Sequence, residues 1–399
     1  MMKRSGKILQ RTALVVIAAL LLAVAGLYAT GNGFVLNALR KTYLKGYTTA
    51  NIDDHVDFDN HIIRAGVPQR WEQHVQFNRI PLPDMLRKEL EDYGTVAFVV
   101  VRDGKLWYEE YWDGYSEERL TNSFSMAKSL TTMLLGKALQ EGYIRSLDQR
   151  ITDFIPEFAG DSLGRLCTVG HLSAMTSGFD WTDAYYSPFD PMTDAYYGNH
   201  VERLMLRRRF VRRPGGHFTY SSGDTQLLAI VLKRATGKSL AAYFSESFWQ
   251  PMGMERDALW TVSKGIEKAF CCVHSNARDY ARLGQLLLQK GNWNGRQLLD
   301  TAFVERMALP HAEAFDSGEP QKYGYSLWVD AVYRPAFYGM MGLLGQRILV
   351  IPEKNMVIVR LGKAKDTRSS GKGTLDGDVY YYVDGVAAMA ESTVATERD

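Results

Sequence analysis

The sequence predicts an α+β fold: one antiparallel sheet built from both ends of the chain, with flanking helices and a large, mostly helical insert between. Three observations predict it. Residues 95–101 are β-branched and apolar, Asp103-Gly104 is a hairpin signal, and residues 105–111 alternate aromatic with charged side chains. From about 134 to 309 the apolar spacing is mostly helical, broken by turns such as Thr176-Ser177-Gly178, Pro214-Gly215-Gly216 and Gly291-Asn292-Trp293. Strand signals then return at 323–329, 347–351 and 356–361, and a last helix over 376–391 closes the chain.

Taken in order, the chain begins with Lys3, Arg4, Lys7 and Arg11 ahead of an apolar run at 12–29. That run is long enough to span a bilayer and equally compatible with a signal peptide, whose cleavage Ala23-Val24-Ala25 would suit. Basic residues on its N-terminal side favour a cytoplasmic start and an exported remainder. Residues 1–30 are therefore expected to be a membrane anchor or signal segment. The body is expected in the periplasm, held at the inner membrane or released from it. Residues 31–80 mix charged and aromatic side chains without periodicity and are assigned as a linker and irregular lead-in. The domain expected over 81–399 opens on a short amphipathic helix at 81–92.

With 399 residues, 46% hydrophobic and 23% charged, the chain has the composition of a globular protein. A formal net charge of +2 gives no reason to expect a polyanion as partner. The one basic cluster, Arg207-Arg208-Arg209-Phe210-Val211-Arg212-Arg213, reads as a solvated face or a set of ion pairs rather than a nucleic-acid site. Cys167, Cys271 and Cys272 do not make a disulfide framework and are assigned as small buried residues. Scattered histidines, with no Cys-x-x-Cys or His-Glu-x-x-His, leave a metal site unsupported, and no cofactor is expected.

The chemistry centres on Thr121-Asn122-Ser123-Phe124-Ser125-Met126-Ala127-Lys128. Polar residues give way here to an apolar run at helical spacing, so a helix begins near Ser125. Residues three apart on a helix share a face, which sets the Ser125 hydroxyl beside the Lys128 amine. A serine needs a base to take its proton, and a buried lysine loses its charge readily enough to serve. Ser369-Ser370-Gly371-Lys372 has the same spacing but sits in a polar, glycine-rich run with no helix to align it. A second stretch, Tyr220-Ser221-Ser222, carries a phenol suited to relaying a proton between nucleophile and leaving group, and Ser222 is placed to extend the hydrogen-bonded chain. Gly237-Lys238-Ser239 is no phosphate loop, because Leu232 stands where that motif needs glycine; Gly237 instead ends a helix over 225–235. Gly-x-Ser-x-Gly is absent, against the doubly wound esterase fold.

In this order, and followed by a late strand, these stretches resemble the serine hydrolases of the β-lactamase and penicillin-binding-protein superfamily of class C-like type, above all 6-aminohexanoate-dimer hydrolases and related esterases. The resemblance extends through Leu172-Ser173-Ala174-Met175-Thr176-Ser177-Gly178, Trp249-Gln250-Pro251-Met252-Gly253-Met254-Glu255 and Ala277-Arg278-Asp279-Tyr280-Ala281-Arg282. It implies attack by Ser125 on an acyl carbon, proton transfer through Lys128 and Tyr220, and hydrolysis of the acyl-enzyme. Which of the two takes the first proton stays open. It further implies an oxyanion site between the backbone N–H groups of Ser125 and Leu343, and substrate contacts from Ser222 and from Tyr185 on a mobile loop.

The third motif of that superfamily reads Met341-Gly342-Leu343-Leu344-Gly345-Gln346 here, without the cation that would hold a β-lactam carboxylate. No acid stands at Tyr196, where the resemblance implies a carboxylate for a substrate amine, although Asp194 is near. The expectation is a hydrolase of small amides or esters. The alternatives are a β-lactamase or D-amino-acid peptidase, and a membrane-anchored binding or sensor protein that keeps the scaffold without turnover.

Overall fold

A computed structural model of the chain describes residues 2–184, 187–311, 322–367, 373 and 375–396. Its centre is a six-stranded antiparallel sheet in the order Trp328–Asp330, Phe337–Gly342, Gln346–Ile351, Met356–Gly362, Thr95–Arg102 and Lys105–Tyr111. Val357 pairs with Val101 and Val359 with Val99, so the two ends of the chain meet in one sheet as the pattern predicts. Asp103 and Gly104 turn the hairpin at φ of 53° and 73°, the double positive φ that matches the twist of a two-residue connection.

Helices cover both faces, which is why Thr95–Arg102 and Met356–Gly362 read as nearly unbroken apolar runs. Val99 and Val101 pack in a core shared with the helices Met126–Gln140 and Ala277–Leu288. Gly284 lets the second of these approach closely, since a Cβ there would lie 2.5 Å from Val357. Phe98 and Val100 face a second core closed by Asp84–Asp92 and Gly377–Thr396, through Leu86, Leu90, Tyr382 and Val386. Buried Arg347 fastens the last helix to the sheet, its Nη2 lying 2.8 Å from Asp376 and 3.0 Å from Asp378.

Three stretches depart from the sequence expectation. The lead-in at 31–80 is not wholly irregular: it holds the helix Phe34–Lys41 and the strand Asn60–Ile63. That strand pairs with Ala258–Ser263, a partner about two hundred residues away that no local pattern reveals. The insert expected to be mostly helical contains most of a second sheet, in the order Asn60–Ile63, Ala258–Ser263, Val273–Ser275 and Thr121–Asn122, with Ile266–Glu267 alongside. The strand Phe337–Gly342 was expected only as the late strand that the resemblance implies; its own residue pattern does not mark it, and it carries two glycines. They are there for close approach, since a Cβ on Gly339 would lie 2.2 Å from the Ile348 carbonyl oxygen. At the N-terminus, the helix Met2–Ala29 contains the one segment among the described residues long and apolar enough to cross a membrane, Gln10–Ala29, none of it buried against the body.

Candidate active site

Ser125 occupies the N-cap position of the helix Met126–Gln140. Phe124 immediately before it holds a φ of 43°, uncommon for a residue with a side chain. Its N–H donates to Asn122 Oδ1 at 2.9 Å, and Ser123 is pinned to Val273 by N–H donation to the carbonyl at 2.7 Å. Strain fixed by surrounding bonds of this kind sets the direction in which the next side chain points. One turn on, Lys128 is 1% exposed and its Nζ lies 2.9 Å from Ser125 Oγ and 3.0 Å from the carbonyl oxygen of Phe270. Burial lowers the lysine pKa to about 8, against an opposing pull from the charge on Asp183.

Tyr220 comes to the same amine from the far side of the insert, with Nζ 4.9 Å from its ring centroid. Trp328 and Tyr323 flank the ring at centroid distances of 5.5 and 6.0 Å. The turn at 176–178 holds this segment: the Thr219 N–H donates to the Met175 carbonyl at 2.9 Å and the Gly215 N–H to that of Thr176 at 2.8 Å. Below it, Ser177 and Ser221 each donate a hydroxyl to Asp224 Oδ1 at 2.8 Å, and burial pushes the Asp224 carboxyl up to about 7. Ser222 turns its hydroxyl to Asp183 Oδ2 at 2.7 Å and its N–H to Oδ1 at 2.8 Å, while Trp181 Nε1 donates to Oδ1 at 2.7 Å. The chain expected through Ser222 therefore runs to a carboxylate that the sequence reading had not singled out. Tyr185 lies outside the described residues.

Opposite the serine stands the turn after Phe337–Gly342. Gly342 packs its backbone on the serine segment so closely that a Cβ would lie 2.3 Å from the Ser123 carbonyl oxygen. Leu343 follows and shares a cavity of about 480 Å³ with Ser125 and Tyr220. Two side chains hold the turn from behind. Arg360, fully buried, donates to the carbonyls of Leu344 (3.0 Å), Gly345 (3.0 Å), Ala364 (2.8 Å) and Tyr93 (2.7 Å). Gln346 Nε2 donates to the Leu343 carbonyl at 3.1 Å and to that of Gly362 at 2.7 Å. Neither residue was singled out in the sequence, because a buried arginine inside a strand pattern gives no sign of the carbonyls it serves. The turn brings no cation of its own, yet Lys322 and Lys365 line the same cavity from elsewhere in the chain.

Cys271 and Cys272 correct the sequence reading: they are joined by a disulfide, leaving only Cys167 as a free, buried thiol. The joined pair follows Phe270, whose carbonyl accepts from Lys128. His274 is a buried strand residue with Nε2 3.2 Å from Thr261 Oγ1, and burial holds its pKa well below the usual histidine range. Among the described residues no group of three or more His, Cys, Asp or Glu side chains is arranged to hold a metal ion.

Comparison with known proteins accords with this arrangement. A 6-aminohexanoate-dimer hydrolase of Paenarthrobacter ureafaciens is 28% identical over 306 residues, covering 71% of this chain and 76% of its own length. A Bacillus anthracis structure, solved under the provisional description of a 6-aminohexanoate-dimer hydrolase, superposes with a TM-score of 0.71 at 24% identity, covering 86% of this chain and 93% of that one. A family VIII carboxylesterase shares the fold at a TM-score of 0.63 and 17% identity, covering 82% of this chain and 100% of that one. The family model for beta-lactamases matches residues 84–376, well over half of the chain, and includes every residue that lines the cavity of about 480 Å³ at Ser125. The protein is thus a hydrolase of the beta-lactamase family.

Proposed function

We propose that the protein is a serine hydrolase of small amides or esters that works through an acyl-enzyme on Ser125. The observation that carries this is the 2.9 Å contact between Ser125 Oγ and a fully buried lysine whose pKa burial lowers to about 8. At pH 7 about a tenth of such an amine is neutral, far more than for an ordinary lysine, and with one N–H given to the Phe270 carbonyl its lone pair is free for the serine proton. Oγ then bonds to the acyl carbon, the carbon's bond to the leaving oxygen or nitrogen breaks, and the proton travels through Lys128 and Tyr220 to the leaving atom. Water repeats the sequence, releasing the carboxylic acid and restoring the hydroxyl. The N–H groups of Ser125 and Leu343 would receive the oxyanion, aided by the positive end of the serine helix. Similarity to a protein named for hydrolysing the 6-aminohexanoate dimer supports an amide among the bonds cleaved. The membrane-length N-terminal helix supports anchoring, with the body on the exported side.

Lys322 and Lys365 at the cavity favour a second reading, a peptidase or β-lactamase whose substrate brings a carboxylate to that side. A chromogenic short-chain ester tests the first: a burst of product and fluorophosphonate labelling are expected, and Ser125→Ala should abolish both. Nitrocefin turnover equal to ester turnover would move the assignment to the second reading. A protein that neither labels nor hydrolyses any of these would be a non-catalytic scaffold.

A further inference from the structure

Ser125 lies where two chambers meet, and their linings differ. The one described above, with Tyr220, Lys322, Lys365 and Asp376 on its walls, is polar over about half of its lining and is the more polar of the two. The other, of about 420 Å³, is mostly apolar and is bounded by Val35, Ala38 and Leu39 on one side and Met192, Tyr196 and Phe270 on the other. A volume of this size lies within the range of sites that hold a small organic ligand. Its first wall is the helix Phe34–Lys41, which Asn37 ties to the Tyr197 carbonyl at 3.3 Å and which buries Phe34 and Val35. Only residues 30–33 separate that helix from Met2–Ala29, so the wall begins within about 18 Å of the end of the membrane-length helix. Leu39, Tyr43, Leu44 and Tyr47 continue the apolar surface outward, exposed by 43, 63, 80 and 42%. A large apolar side chain left exposed at the rim of an apolar chamber is the surface an amphiphile would cross.

From this we infer that the substrate is an amphiphile: an apolar acyl chain seated in the chamber behind Phe34–Lys41, joined by its ester or amide to a polar leaving group in the other chamber. The inference rests on the serine-hydrolase reading, and the sidedness follows from Tyr220. The phenol that would protonate the leaving atom lines the polar chamber and not the apolar one, so the leaving group belongs with it and the acyl group opposite.

The test uses the full-length chain in phosphatidylcholine vesicles with p-nitrophenyl acetate and p-nitrophenyl octanoate. Octanoate should exceed acetate in kcat/KM by about 30-fold or more, well under the ceiling for burying six additional methylenes. Ala38→Phe and Ala38→Trp fill the chamber in two steps, and the octanoate-to-acetate ratio should fall in that order. Because the same vesicles hold every variant, partition of the ester into lipid cancels from that comparison, and thermal melts report whether each variant is folded. A wild-type ratio near one, or a ratio that folded Ala38→Phe leaves unmoved, overturns the inference while acetate turnover keeps the hydrolase reading intact. Loss of acetate turnover and of Ser125 labelling in the wild type would instead strike that reading, and the inference with it.

Discussion

The two sides of the nucleophile are built by different means. On one, Ser125 and Lys128 are three residues apart on a single helix, and their 2.9 Å contact follows from helical spacing and burial. On the other, the Leu343 turn is held by contacts to distant segments: Gly342 against the Ser123 carbonyl, Gln346 on the Gly362 carbonyl, and Arg360 joining the carbonyls of Leu344 and Gly345 to those of Ala364 and Tyr93. The first side is a local structure that only needs burial to become reactive. The second is a tertiary structure with almost no local preference for its shape, and Leu344 within it holds a φ of 58°. Damage to the first should therefore appear in the chemistry alone, whereas damage to the second should appear in stability as well.

Lys128→Met is the sharpest way to break the first side. It keeps the volume and removes the base from a site that already disfavours charge, so folding should change little while the acylation rate falls by about 10³-fold or more. Burst kinetics beside a denaturant melt would separate the two. Equal losses of activity and stability would mean that the serine corner is not local at all.

On the second side, Gly342→Ala should cost about 10²-fold in the acylation rate with a smaller change in KM, the pattern of a displaced oxyanion donor. The added Cβ would lie 2.3 Å from the Ser123 carbonyl oxygen and 3.3 Å from Phe124 Cβ, so strand and serine segment must part. Arg360→Met should follow with a loss of about 2 kcal/mol of stability, read by chemical denaturation, because buried carbonyls lose their donor.

The same contrast explains what the sequence made legible. Helical spacing set Ser125 beside Lys128 and the longer blocks of the resemblance singled the pair out, while β-branching, alternation and a hairpin signal brought out Thr95–Arg102 and Lys105–Tyr111. Tyr220 gave only a short string, and its meeting with the amine depends on the turn at 176–178, which grips it from forty residues upstream. Phe337–Gly342 came only with the resemblance, because glycines needed for close approach give no strand pattern of their own until the strand beside them is known. Asn60–Ile63 escaped because half of its definition is Ala258–Ser263. Lys322 and Lys365 illustrate the same limit at the cavity: a motif without a cation says nothing of cations that other segments deliver.

Asp183 acts on the first side through its charge alone, and its removal gives the smallest and most diagnostic effect. Its charge opposes the burial that lowers the Lys128 pKa to about 8. For a lysine acting as base, activity rises with pH as the amine loses its proton, so the acid limb of kcat/KM should centre near that value. Asp183→Asn keeps an oxygen for the Trp181 and Ser222 N–H groups and turns an amide N–H toward Ser222 Oγ, so the shape of the loop survives while the charge goes. With the carboxylate gone the protonated amine loses a stabilising partner, and the limb should move to lower pH by less than about one unit, the scale of a single modest charge contact. A limb that moves upward would require the carboxylate to act on some group other than Lys128, and one that stays in place would assign the titration to a group that does not feel this charge, which excludes Lys128. Either result would detach the lysine from the role its 2.9 Å contact supports.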